Sequence, residues 1–597
     1  MDKVFDYYRS NIEAYTRRVN NLQKKIHLMG TIRLLIVAAA IVSIWFLRAQ
    51  DWRIIAGVTL LYFIPFIGLM IYHNFLAGKK SYAETLIRLC SDELKGLDYD
   101  FSAFDGASDK IDGEHSFSLD LDIFGERSFF QSVNRTVTHI GRELLTEWIR
   151  KPLTDKTAIL NRQEAIKELA TLTRLRQHFY VSGTLQPGKK NDVNLLSRLT
   201  DAPAYFANTN FWKLSIWIIP ALWVVIFVCL MFNLINFSLF GIIFIVSFLL
   251  AYIPIKRINE LHQTVNKLEQ ILKCYSLLMK SIEGDSFKSS LLSNISNELV
   301  DEKYTASQAI KKLSSHIGIL DQRGTMTGII LNIFTFRDIR ASIAIEKWQL
   351  HYGKETAKWF DALAQFDALS SLAGFAFNHP DYIYPQIAES YFKMEGKALG
   401  HPLIRREVCV KNDISIEKNP WFLIITGANM AGKSTYLRTI GINFLLSCIG
   451  APVCADELVV YPAKIVTSLR TSDSLVSNES YFFAELKRLK MIIDRLKEGE
   501  KLFIILDEIL KGTNSVDKQK GSFALMKQLI TYDTCGIIAT HDLALGSLEQ
   551  DFPDQIKNYR FEADITNNEL TFSYKLREGI AQNMNASFLM KKMGITL

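Results

Sequence analysis

Hydrophobic and polar positions alternate along this chain on three scales, and each scale predicts a different kind of element. The coarsest is the uncharged run. Leu214 to Ile255 is 42 residues without a charge, about twice the roughly 20 that cross a bilayer as a helix. The segment NLINFS near its middle supplies a turn, so two spans with a very short loop are expected. Ile54 to Gly78 is a second uncharged stretch, and Leu34 to Leu47 is a shorter one bounded by Arg33 and Arg48, whose long side chains can reach the interfaces. About four transmembrane helices are therefore expected. Basic residues flank the outer ends of these runs: Arg17, Arg18, Lys24, Lys25 and Arg33, then Lys79 and Lys80, then Lys256 and Arg257. That bias places the N-terminus and both large soluble segments on the cytoplasmic side of a multi-pass membrane protein.

The middle scale is the heptad. Phe5, Tyr8, Ile12, Tyr15, Val19, Leu22, Ile26 and Met29 recur at alternating intervals of three and four, as do Ile258, Leu261, Val265, Leu268, Leu272, Tyr275, Met279 and Ile282. Both patterns predict long helices, packed either inside the chain or against a second copy. The later one lets the fourth span run on into a helix that points toward the soluble part. The finest scale is the short apolar run of strand type: WFLIIT (Trp421–Thr426), KLFIILDE ending in Asp507 and Glu508, and GIIAT followed by His541 and Asp542.

The first of these strands leads into Gly427-x-x-x-x-Gly432-Lys433-Ser434 and then a helix-compatible TYLRTIGINFLLS. That is the strand, loop and helix order of a phosphate-binding loop. Glycines let backbone N–H groups close on phosphates at the helix N-terminus, Lys433 supplies a point charge, and the Ser434 hydroxyl can ligate Mg²⁺. Asp507 at a strand end beside the loop can hold the same metal, and Glu508 can polarise the attacking water. ATP and Mg²⁺ are the cofactors expected.

Bulk composition adds little. At 597 residues the chain is long enough for several units, and Lys plus Arg exceeds Asp plus Glu by 69 − 62 = 7, which nucleic acid or anionic lipid would suit equally. The seven cysteines form no C-x-x-C pair, so neither a zinc site nor a disulfide framework is indicated, and a reducing compartment fits. The polar N-terminal 25 residues lack the pattern of a secretory signal.

Four segments in order, TGANMAGKSTYLRTIG, RTSDSLVSNESYFFAEL, LDEILKGTNSVD and ATHDLALGSLE, resemble the motifs of the MutS DNA-mismatch-repair ATPases, members of the ABC-type superfamily. Ser128–Ile166 is similar to the MutS core domain, and Asp361–Ile387 to its return segment. The resemblance implies an α/β P-loop ATPase domain joined to an all-α core and lever domain. It implies Gly427, Asn429, Gly432, Lys433, Ser434 and Thr435 around the phosphates, Ser434 and Asp507 on the metal, and Glu508, His541 and Lys433 as catalytic groups, His541 being a γ-phosphate switch. It further implies that Ser480 reaches the nucleotide of a second subunit, so that a homodimer builds two composite sites, with Thr513 lining the interface. The expected organisation is a basic amphipathic helix over 1–30, a transmembrane hairpin over 31–78, a cytoplasmic linker over 79–115, a MutS-like core over 116–210, a second hairpin over 211–255, lever-like helices over 256–350, a core return over 351–395 and the ATPase domain over 396–597.

Departures from the family shape the functional expectation. Ala428 stands where Pro is usual, Ala431 where Gly is common, Tyr481 in place of a Thr, and Leu510–Lys511 in place of Gly–Arg. Ala431 is expected to be tolerable only at negative φ. No counterpart of the mismatch-reading domain is found in residues 1–115. Phe124-x-Glu126 repeats the wedge motif but opens the core-like segment. Too little strand-like sequence lies in Lys256–Leu350 for a full DNA clamp. Two readings follow: a membrane-anchored MutS-like ATPase that binds double-stranded DNA in an ATP-dependent way, or an ATPase that drives a membrane protein partner without holding DNA. An ABC-type transporter is a third, weakened by the lack of an LSGGQ signature.

Overall fold

The computed structural model describes residues 2–185, 204–232, 234–265, 268–428, 430–470, 481–511, 513–566 and 569–582. Its N-terminal part is a hairpin of two very long helices, α1 (Asp2–Phe46) and α2 (Trp52–Leu97). At 1.5 Å per residue each is about 68 Å long. The first heptad face lies on α2, and the basic N-terminal helix and first apolar run are one continuous helix. At the apolar end, large side chains such as Leu34, Phe46, Leu61 and Ile64 are exposed. At the other end Val4, Tyr8, Leu86, Cys90 and Leu97 are buried with Val181 of the core. Residues 79–97, expected to be linker, are thus the last turns of α2, made helical by an apolar face with a partner to cover.

The core is built from α3 (Phe129–Val133), α4 (His139–Arg150), α5 (Lys156–Thr171) and α6 (Thr173–Leu185). A second apolar hairpin follows, α7 (Asn210–Met231) and α8 (Phe237–Tyr252), then α9 (Ile255–Val265), α10 (Leu268–Glu283), α11 (Ser290–Leu299), α12 (Ala306–Asp321), the short α13 (Met326–Thr335) and α14 (Arg337–Asn378). Among the described residues, α1, α2 and α7 are long and apolar enough to cross a membrane, and α8 with α9 would make a fourth if the bent pair is one span. That pair bends by 50° at Pro254, which lacks the N–H of a continuing helix and whose ring crowds the preceding turn. The straight run from fourth span into lever is therefore broken. Of the second heptad, Ile258, Val265, Leu268, Leu272, Tyr275, Met279 and Ile282 are all buried within the chain, against α12 and α6 among others; intramolecular packing uses that face. α14 is one helix of 42 residues, so the expected boundary between lever and core return near 350 falls inside it.

The C-terminal part is α/β. β1 (Gln386–Ile387), β2 (Met394–Leu399), β3 (Asn412–Ile416) and β5 (Glu457–Val460) form one sheet in the order β1-β5-β2-β3. The main sheet contains β4 (Trp421–Gly427), β6 (Lys464–Ser468), β7 (Leu502–Asp507), β8 (Cys535–Thr540), β9 (Ile556–Phe561) and β12 (Arg577–Glu578), in the order β12-β9-β4-β8-β7-β6. Its strands are parallel from β6 to β9. β7 and β8 are buried at every position because helices cover both faces: α15 (Lys433–Cys448), α16 (Tyr481–Lys497) and α17 (Ser515–Ile530). β10 (Ala563–Thr566) and β11 (Glu569–Phe572) form a hairpin.

A buried polar cluster locks the N-terminal hairpin to the core. Arg135 donates to both carboxylate oxygens of Glu93, at 2.6 and 3.1 Å, and its guanidinium lies 3.3 Å from the Phe104 ring centre. Asn378 donates to the same carboxylate at 2.8 Å and accepts from the Tyr8 hydroxyl at 2.8 Å. Removing one partner would leave a charge buried alone. Glu93→Ala is expected to destabilise the protein by about 3 to 5 kcal/mol, read as a lowered midpoint of thermal unfolding in detergent, whereas Glu13→Ala, whose partner Arg17 is exposed, should leave the midpoint in place.

Candidate nucleotide site

β4 delivers the glycine loop to the edge where β7 and β8 also end. Gly427 has φ +153° and Gly432 φ +108°. A Cβ on Gly427 would lie 2.4 Å from the Phe561 carbonyl oxygen, so this position admits only glycine. The left-handed turn of the loop falls on Met430, φ +65°, while Ala431 is buried with no positive φ, the condition under which alanine is tolerated there.

α15 opens at Lys433, whose ammonium donates to the carbonyls of Gly427 at 2.7 Å and Ala428 at 2.9 Å and sits 3.5 Å from the His541 ring nitrogens. Burial pulls its pKa down to about 8, against the opposing charges of Asp507 and Glu508. The Ser434 hydroxyl donates to Asp507 at 2.6 Å. The other Asp507 oxygen is buried without a partner, and burial raises this carboxyl above its ordinary value. A serine oxygen and a carboxylate with one oxygen orphaned suit a hard cation such as Mg²⁺. No cluster of three or more His, Cys, Asp or Glu forms another metal site among the described residues.

Glu508 has φ +50°, and its N–H donates to the Ala539 carbonyl at 2.8 Å. Its carboxylate meets His541 Nε2 at 2.6 Å and the Lys511 ammonium at 3.4 Å. The hydrogen bond from His541 above all, with Lys511, holds its pKa down at about 2. It is an ionised acceptor with its hydrogen-bonding direction set. The structure therefore brings together Gly427, Gly432, Lys433, Ser434, Asp507, Glu508 and His541. Thr435 lies on the first turn of α15 and lines the adjoining cavity. Asp542 instead caps the following turn by accepting from the Ala544 N–H. Thr513 lies just before α17. Asn429 and Ser480 lie outside the described residues.

Two parts of the site carry no motif. A cavity of about 500 Å³ adjoins the loop and is lined also by His401, Val408, Val410, Asn412 and Tyr574. Its volume is that of a small-molecule pocket. The apolar Val408-Cys409-Val410 set among charges was the one local signal; Tyr574 comes from the far end of the domain. The second part is Glu485 on α16, buried, which accepts from the N–H groups of Leu510 and Lys511 at 2.5 and 3.1 Å. It ties the start of that helix to the turn after Glu508, where Leu510 has φ +60°.

A glycine loop at a helix N-terminus, with two acids and a histidine on neighbouring parallel strands, defines the class of fold that cradles phosphates. Residues 115–373 match MutS domain III and residues 423–592 match MutS domain V. The DNA mismatch repair protein MutS of Thermotoga sp. (strain RQ2) is 31% identical over 242 residues, 40% of this chain and 30% of that protein. The protein of the same name from Thermotoga maritima is 32% identical over 237 residues, 39% and 29% of the two chains. Human MutS protein homolog 4 is 29% identical over 238 residues, 38% and 25%. This chain belongs to the MutS family, and it spans about 30% of the length of the first two relatives.

The Lys433 environment predicts a pH dependence. Phosphates favour the ammonium form, so bound nucleotide raises a pKa that is about 8 in the free protein. Affinity is then level below that pH and falls above it, by up to about tenfold per pH unit. Titration of a fluorescent ATP analogue between pH 6.5 and 9.5 checks this. Gly427→Ala should abolish binding at every pH.

Proposed function

We propose that this chain is a membrane-embedded, Mg²⁺-dependent ATP hydrolase of the MutS type that binds DNA in an ATP-dependent way. The constellation of Lys433, Ser434, Asp507, Glu508 and His541 at one sheet edge carries the reading. Mg²⁺ when bound would neutralise phosphate charge. Ser434 and Asp507 would hold it, and the loop N–H groups and Lys433 would position the phosphates. Glu508, ionised and fixed by His541, can accept the proton of an attacking water. Tyr574, Val408 and Val410 would hold the base. Apolar Met430 and Val516, 77% and 58% exposed near the site, suit a face covered by a second copy, the arrangement in which Ser480 would act in trans. α1, α2, α7 and the bent pair α8–α9 would be the spans, with the nucleotide domain and N-terminus cytoplasmic.

DNA is supported by the names of the relatives and by a groove on α12 and α14 lined by Lys312, His316, Lys347 and His351. A second reading, an ATPase that drives a membrane partner, is supported by the far end of α14. There Arg340 donates to the Ile216 carbonyl of α7 at 2.7 Å, and Glu346 accepts from the Ala207 N–H at 2.6 Å. The long helices thus end on the apolar hairpin.

Turnover of the full chain in lipid nanodiscs, measured against homoduplex, mismatched and branched DNA at two salt concentrations, tests both. Salt-sensitive stimulation is the expected result; a flat response with turnover intact would transfer the proposal to the second reading. Lys433→Ala should abolish turnover. Glu508→Gln should retain ATP while turnover falls by at least about 100-fold, and normal turnover in that variant would remove Glu508 from its role.

A further inference from the structure

The 13 residues from Gly324 to Phe336 carry no charge and are bounded by Arg323 and Arg337. They form the turn joining α12 to α14 and include α13, a helix of 10 residues that is too short to span a bilayer. α13 is nonetheless uncharged and apolar and buries only Gly328, Asn332 and Ile333. Met326, Ile330 and Leu331 face outward, 81%, 46% and 46% exposed.

Its position is fixed by Phe334. This ring packs on Trp223 and Phe227 of α7 at 4.7 and 5.7 Å and on Phe244 of α8 at 6.0 Å. About two to three turns nearer the start of α7, Arg340 stacks on Trp217 at 5.4 Å, the pairing of an aromatic and a basic residue suited to a membrane interface. From Trp217 to Trp223 and Phe227 is about 9 to 15 Å along the helix, well inside a hydrocarbon core of about 30 Å. Below α13 a polar collar forms: His262 with Asp321 at 2.8 Å, Arg337 with Gln322 at 2.9 Å, and Arg323 with Asn259. Above the collar the turns close on themselves. Thr325 Oγ1 accepts from the Gly328 N–H at 3.0 Å, Asn332 Oδ1 from the Asp338 N–H at 3.0 Å, and the Asn332 carbonyl from the Phe336 N–H at 2.9 Å. Internal satisfaction of helix ends is what hydrocarbon demands.

We propose that residues 324–336 are a re-entrant membrane element: the tip of the α12–α14 lever lies among lipid acyl chains beside α7 and α8. This rests on the membrane reading of that hairpin. The outward side of α13 continues its lipid-facing surface, where Val224, Val225 and Val228 are exposed. Any tilt of α14 driven from the nucleotide end would then displace lipid directly.

Depth-dependent quenching tests it. A nitrobenzoxadiazole label is placed on Ile330→Cys, Val225→Cys or Leu350→Cys, each in the full chain with Cys229→Ser and Cys409→Ser, in phosphatidylcholine nanodiscs containing lipids doxyl-labelled on the acyl chain. Ile330 and Leu331 are partly exposed, so the label needs no repacking of the core. Ile330 should be quenched to within about twofold of Val225, while Leu350, exposed on α14 below the collar, is quenched by aqueous iodide instead. Quenching at Val225 but not Ile330, from water or from a protein covering α13, would overturn the re-entrant element and leave the hairpin reading standing. Absence of quenching at both would overturn the two together.

Discussion

The rest of the molecule is arranged along one constraint, the continuity of the 42-residue helix Arg337–Asn378. A helix of about 63 Å bends only gently unless a proline, a bulge or an inserted group interrupts its hydrogen bonds, so what docks at its two ends is held at a defined separation. At the end beside the second apolar hairpin Arg340 and Glu346 hold the start of α7. Half a turn beyond Glu346, Trp348 donates to the Ala309 carbonyl of α12. At the other end Asp367, fully buried, accepts from the Val137 and Thr138 N–H groups and the Thr138 hydroxyl. Ser371 bonds to Val133 and Arg135, and Asn378 completes the cluster around Glu93. Both apolar hairpins are thus referenced to one rod.

The α/β domain joins that rod through the irregular segment before α3. Asp120 accepts from the Thr467 hydroxyl and from the Leu469 and Arg470 N–H groups. Asp122 pairs with Arg470 and with Arg438 of α15, the helix that opens at Lys433. Arg488 of α16 donates to the carbonyls of residues 114–116. A few residues later the same segment supplies Val133, Arg135 and Thr138 to α14. Contacts are therefore contiguous from the glycine loop to the rod and from the rod to the apolar hairpin, which is the physical condition for two ends of a molecule to influence one another.

Within the site, burial and charge act in opposite directions on neighbouring groups. Burial lowers the Lys433 ammonium and raises Asp507, while His541 and Lys511 hold Glu508 ionised. The left-handed backbone at Glu508 and Leu510, pinned by Glu485, turns the chain sharply after β7 and aims one carboxylate at Ser434 and the next at His541. Positive φ at non-glycine residues is costly and persists where surrounding contacts enforce it.

What the sequence determined by itself is what short-range pattern encodes. Glycines at fixed intervals, two acids ending an apolar strand and a histidine ending the next were enough to expect their convergence at one sheet edge, because each motif is local and its parent strand is buried on both faces. Uncharged length marked the apolar helices in the same way. Other features were decided only by tertiary structure: that residues 79–97 belong to α2, that the second heptad is spent on α12 and α6, that Met430 rather than Ala431 takes the turn, that Glu485 and Tyr574 belong to the site, and that α13 lies against Trp223. Each depends on a contact between residues far apart in the chain. A heptad or an apolar helix states that a face must be covered, but hydrophobic burial is non-directional, and only the assembled fold selects what covers it.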